Sequence, residues 1–176
     1  MKFFDVLPQL AENELLKRGV MTDELLYCVK ADLDGEGGYV DVYITFTKDT
    51  LCILRGYEDY GKMKRGQKRK NLVSFTVSGY DEYPIDGIEE MYVDRYANSA
   101  RLMIKDKSGK EFPIARFSLG FADKFEKFSQ RVNCTAKNEP IDDRLLEGVK
   151  THCPTCGEPY PDPNRPVCPR CVDRRS

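Results

Sequence analysis

Seven cysteines occur in the 176-residue chain, and four of them fall within residues 152–176 as two pairs, Cys153-Pro154-Thr155-Cys156 and Cys168-Pro169-Arg170-Cys171. Two residues between sulfurs let the backbone turn once and aim both thiolates at one point. Two such pairs close a tetrahedron of sulfur ligands, which is the chemistry of a structural zinc ion with no coordination position left open for catalysis. Gly157 follows the first pair, where positive φ lets the turn close without strain, while Val172 follows the second. The 11 residues from Gly157 to Val167 suffice for a small loop between the knuckles. A redox Cys-x-x-Cys would open a helix after a strand, whereas proline surrounds both pairs here. His152 adjoins Cys153, but four sulfurs already fill the tetrahedron.

The tail needs such a staple. Six of the ten prolines lie between Pro154 and Pro169, and proline removes backbone donors that a sheet or helix requires. From Lys150 onward five basic residues stand against three acidic ones. Zinc with four thiolates adds two negative charges, so the loaded tail is close to neutral. Phosphate-backbone binding depends on a positive excess, so the balance favours protein docking or a spacer role over nucleic acid.

A second chemical feature is the basic segment Lys62, Lys64, Arg65, Lys68, Arg69 and Lys70, placed between two expected strands. It reads as a solvated loop. The alternative is contact with an anionic lipid surface, at about 1 kcal/mol per basic residue. Catalytic patterns are not found. Lys107-Ser108-Gly109-Lys110 lacks the upstream glycine and following Ser or Thr of a phosphate loop, and the only histidine adjoins the zinc ligands. We therefore expect no catalytic residues and no enzymatic activity in this chain.

The elements that must carry these features read mostly as strand. Hydrophobic content of 40%, charged content of 32% and a net charge of -1 fit a soluble domain with no overall pull toward polyanions. No run approaches the ~18 apolar residues of a membrane span, and Met1-Lys2-Phe3-Phe4-Asp5 becomes charged too early for a signal peptide. A cytoplasmic location follows, with Cys28, Cys52 and Cys134 as buried thiols. Residues 1–21 form a helical lead that docks on the main domain. Strands are expected at 25–33, 39–47, 50–55, 71–78, 88–94, 100–105 and 111–116, with an extended piece at 83–85. Val40, Val42, Ile44 and Phe46 share one face, and Asp41, Tyr43 and Thr45 the other. Then Phe121, Phe125, Phe128 and Val132 mark an amphipathic helix, with Asp123, Lys124, Glu126, Lys127 and Arg131 opposite. Residues 139–151 form a linker that could be helical.

About seven antiparallel strands closed by one helix is the element order of a pleckstrin-homology-like domain, and residues 83–132 resemble bacterial members of that superfamily. The expected fold is mainly β (α+β): a pleckstrin-homology-like curled sheet over residues 22–138, then a four-cysteine zinc ribbon over 152–176. The ending, Cys153-Pro154-Thr155-Cys156-Gly157 through Val167-Cys168-Pro169-Arg170-Cys171 and Asp173-Arg174-Arg175, resembles the cytosolic N-terminal extension of bacterial ABC exporter half-transporters. That resemblance implies a regulatory or coupling module, with the ribbon leading into transmembrane and ATPase domains of a longer polypeptide. It also implies tethering at the inner face of the cell membrane, ATP hydrolysis elsewhere in the full protein, and dimerisation in the context of the whole transporter. The alternatives are a stand-alone zinc-ribbon adaptor for protein or nucleic acid, and a membrane-surface module acting through residues 62–70.

Overall fold

The computed structural model describes residues 4–62 and 72–141. Seven strands form one antiparallel sheet: β1 (Tyr27–Asp34), β2 (Tyr39–Phe46), β3 (Thr50–Asp59), β4 (Ser74–Pro84), β5 (Ile88–Tyr96), β6 (Ser99–Asp106) and β7 (Glu111–Ser118). Their order across the sheet is β4-β3-β2-β1-β7-β6-β5, so the sheet is open, with β4 and β5 at its edges. Helix α1 (Gln9–Leu16) precedes it and helix α2 (Ala122–Ala136) follows.

Alternation along the strands explains how the two halves of the open sheet share one core. Val29, Val42, Ile44, Phe46, Leu51 and Ile53 point inward from β1–β3 and meet Met91, Leu102, Ile104, Ile114 and Phe117 from β5–β7. Helix α2 plugs the remaining gap. Phe125, Phe128 and Val132 are fully buried in that core, each contributing about 1.5–3 kcal/mol of burial. Phe117 stacks on Phe125 with ring centroids 3.8 Å apart, and Phe46 meets Phe128 edge-on at 5.4 Å.

The opposite face of β1–β3 is covered as well. Ala11 and Leu15 of α1, with Val20, pack on Cys28, Tyr43, Cys52 and Leu54 as a second apolar cluster. The N-terminal lead thus docks on the sheet, and Tyr43 and Thr45 lie beneath protein although they share the more polar face of β2.

Several expected details differ. Strand β3 runs on through Glu58 and Asp59, because its polar end pairs with Ser74–Val77 of β4. Strand β4 does not stop at Ser78. Ser78 is the extra residue of a bulge opposite Arg55 and Gly56, and the ladder continues to Thr50–Pro84. Gly56 is required there, since a Cβ would come within 2.4 Å of the Phe75 ring and 2.6 Å of the Thr76 carbonyl oxygen. The extended piece expected at 83–85 holds for Tyr83 and Pro84, which end β4, while Ile85 opens a 3-10 turn, Ile85–Gly87. At the helix, Phe121 is 51% exposed, whereas Arg131, expected on the solvent side, is 3% exposed. Its guanidinium lies over the Phe4 and Tyr27 rings, at 4.6 and 4.8 Å from their centroids, a cation–π arrangement supplied by the N-terminal segment.

Candidate functional site

Of the residues that the sequence analysis singled out, Lys62 is exposed just beyond β3. Lys64, Arg65, Lys68, Arg69 and Lys70 lie outside the described residues, as do Cys153, Cys156, Cys168 and Cys171. Among the described residues, no three His, Cys, Asp or Glu side chains gather as a metal site. Cys28 and Cys52 are buried free thiols, and Cys134 is half-buried.

The main charged constellation among the described residues arises from strand alternation. Lys30, Asp41, Tyr43 and Glu58 lie together beside the apolar patch under α1. Lys30 Nζ donates to Glu58 Oε2 at 2.5 Å and lies 2.8 Å from Asp41 Oδ1. Tyr60 OH donates to Glu58 Oε2 at 2.5 Å, and Tyr43 OH donates to Glu58 Oε1. The Glu58 backbone N–H donates to Asp41 at 2.9 Å. Glu58 itself has a side chain only 3% exposed, so its charge persists through these partners.

Protonation states follow from this packing. Burial works against the Glu58 carboxylate, but hydrogen bonds from Lys30, Tyr43 and Tyr60 outweigh it and hold its pKa below the ordinary value. Burial likewise works against the Lys30 ammonium, and the bonds to Asp41 and Glu58 raise its pKa nonetheless. Burial first, then Glu58, pushes the Tyr43 phenol well above its usual range. Each group is thereby locked in one state near neutral pH, whereas general acid–base work needs a group that can change state there.

Next to this cluster the seam between β1 and β7 opens. Those strands pair only at Leu33–Arg116 and Asp34–Ala115. Below that point the N-terminal segment takes over. The Asp5 N–H donates to the Cys28 carbonyl at 2.9 Å, and Asp5 Oδ2 accepts from Lys30 N–H at 2.7 Å and from Lys124 Nζ at 2.6 Å. A cleft of about 350 Å³ remains above, between Tyr39, Arg116, Phe121 and Lys124. Tyr39 is 86% exposed, and Lys124 sits 5.1 Å from the Phe121 ring centroid. The cleft's lining combines these aromatic faces and cations with the carboxylates of Asp5 and Asp32.

One edge of the sheet is covered by α2. On β5, Asn133 of α2 imitates a neighbouring strand: Oδ1 accepts from Met91 N–H at 2.7 Å and Nδ2 donates to Met91 O at 2.8 Å. Arg95 on the same strand binds Glu126 at 2.8 Å and Asp123 at 3.2 Å. The edge of β5 is therefore occupied by the helix. Sequence reading missed Glu58, Arg131 and Asn133. The one available signal was the shared face of Asp41 and Tyr43.

Searches against protein-family models, curated proteins and solved structures found no match to this chain.

Proposed function

We propose that this protein is a non-catalytic coupling module of an ABC-type exporter, built from a pleckstrin-homology-like domain and a zinc ribbon. The observation that carries the reading is the element order. Seven antiparallel strands run 4-3-2-1-7-6-5 around a closing C-terminal helix, and two Cys-Pro-x-Cys pairs follow in the chain. The curled sheet with its helical plug supports the pleckstrin-homology-like assignment. Cys153, Cys156, Cys168 and Cys171 would hold zinc, and the ion would supply order to a segment too rich in proline to fold alone. Lys30, Asp41, Tyr43 and Glu58 are committed to one another, which suits a scaffold that transmits position rather than a site that reacts.

Among the described residues no helix is long and apolar enough to cross a membrane, so in this proposal the membrane and ATPase parts belong to other segments of a longer polypeptide. Two measurements test it. Elemental analysis of the purified chain should find one zinc per molecule, lost on mutation of Cys153 or Cys168 to serine. The reading frame beyond Ser176 should enter a stretch of about 20 apolar residues. A stop codon there removes the exporter reading, and a metal-free chain removes the ribbon.

A further inference from the structure

The far end of the fold carries a second cleft, of about 360 Å³, whose walls are chemically specific. Tyr83 and Phe112 form one wall of it, packed on each other with ring centroids 5.2 Å apart. Pro84, Ile88 and Ile104 complete an apolar floor, and Lys110 stands at the rim. Lys110 makes no close salt bridge among the described residues; the Asp106 carboxylate, which also lines the cleft and feels the Lys110 charge, accepts from the turn's own N–H groups, at 2.9 Å from Ser108 and 3.0 Å from Lys110. Paired aromatic rings over an apolar floor, with a lysine at the edge, are suited to a proline-rich extended segment bearing an acidic residue. Such a segment is already in a polyproline II conformation and loses little entropy on docking.

The chain supplies such a segment. Residues 159–166 read Pro159-Tyr160-Pro161-Asp162-Pro163-Asn164-Arg165-Pro166. Polyproline II, with three residues per turn, would put Tyr160, Pro163 and Pro166 on one ridge with Asp162 beside it. Position is favourable too. Pro84 lines both this cleft and a neighbouring hollow whose other wall is Thr135, Ala136 and Asn138, where α2 ends. The chain therefore leaves the folded domain next to the cleft. The 18 residues between Ile141 and Tyr160 reach on the order of 50 Å when extended.

We infer that the Tyr83–Phe112 cleft is the docking site for the chain's own proline-rich segment, residues 159–166. The ridge of Tyr160, Pro163 and Pro166 packs on the two rings, and Asp162 faces Lys110. The inference rests on the zinc-ribbon reading in one respect: zinc at the paired cysteines holds the two ends of this segment and presents it as an arch. Tethering sets an effective concentration on the order of mM for a short flexible connection, so modest contact area is enough. Docking of this kind couples the ribbon's position to the domain.

The test uses the 176-residue chain, supplied with zinc and isotopically labelled for amide NMR, beside a triple variant Tyr160→Ser/Pro163→Gly/Pro166→Gly that leaves the folded domain untouched. Expected are resonance shifts confined to Gly87, Ile88, Lys110 and Phe112, independent of protein concentration, and reversed when excess synthetic peptide 158–167 is added to the variant. Unmoved cleft amides in a chain that binds one zinc overturn the docking and leave the ribbon standing. Cleft shifts in a chain that binds no zinc support the docking and remove the ribbon. Shifts that grow with protein concentration place the tail of a second copy in the cleft and overturn docking within one chain.

Discussion

Replacing Asn133 by alanine isolates the contact that seals the β5 edge. Met91 is 1% exposed, and its backbone N–H and C=O are both held by the Asn133 amide, at 2.7 and 2.8 Å. Without that side chain, two buried backbone groups lose partners at about 1–3 kcal/mol each. Alanine returns up to about 0.7 kcal/mol through its better helix propensity, leaving a net loss of about 1–5 kcal/mol. With an m-value of about 2 kcal/mol/M in urea, the midpoint should fall by about 0.7–2.7 M, and amide exchange at Met91 should accelerate. Asn133→Asp sharpens the test. Its carboxylate can accept from the Met91 N–H but confronts the Met91 carbonyl oxygen, so the charged form is disfavoured and the folded-state pKa is raised. Its stabilising form, the protonated acid, is present below the unfolded pKa of about 3.9 and is lost as pH rises through the folded value. The deficit relative to wild type should therefore shrink as pH falls. An alanine variant within about 0.5 kcal/mol of wild type, or an aspartate deficit that ignores pH, would refute the reasoning.

Other expectations follow from the same geometry. Glu58→Gln should cost about 2–3 kcal/mol, below the ~3–5 kcal/mol of a fully uncompensated buried pair, because Asp41 still lies 2.8 Å from Lys30. Glu58 has a lowered pKa, so its contribution exists above the unfolded value of about 4.3 and fades as pH falls. Urea melts at pH 3 to 7 should show a shallower acid limb in the variant, and identical limbs would count against the ion pair. Burial and nearby Asp5 push the Cys28 thiol up to about 12, and burial raises that of Cys52. Peptide-resolved mass spectrometry after brief alkylation at pH 7 should therefore find both unlabelled in the native chain and labelled in urea, with half-buried Cys134 reacting before either. Chelation of zinc should expose residues 152–176 to protease and hydrogen exchange while the seven strands keep their protection. Unchanged exchange in the tail would argue that no metal orders it.

Much of the scaffold was legible because its signals are local. The alternation of Val40, Val42, Ile44 and Phe46 places β2, and the four- and three-residue steps of Phe125, Phe128 and Val132 place α2 and its buried face. The zinc expected at Cys153, Cys156, Cys168 and Cys171 rests on spacing alone, since these residues lie outside the described ones. Strand β4 was misplaced because Gly79 reads as a breaker, yet Arg55 across the ladder and the bulge at Ser78 carry the strand past it.

What only the tertiary structure decided are the meanings of polar residues. Glu58 reads as part of a solvated loop until Lys30, 28 residues earlier, and Tyr43 meet it. Arg131 reads as a surface cation until the N-terminal segment lays Phe4 over it. Asn133 reads as an ordinary helical residue until β5, 42 positions earlier, offers it an unpaired strand edge. The physical reason is common to all three. Apolar patterning reports on a residue's own element, because burial depends on which face it occupies. A polar group's role depends on the particular donor or acceptor it meets, and distant parts of the chain supply that partner only after the sheet has curled.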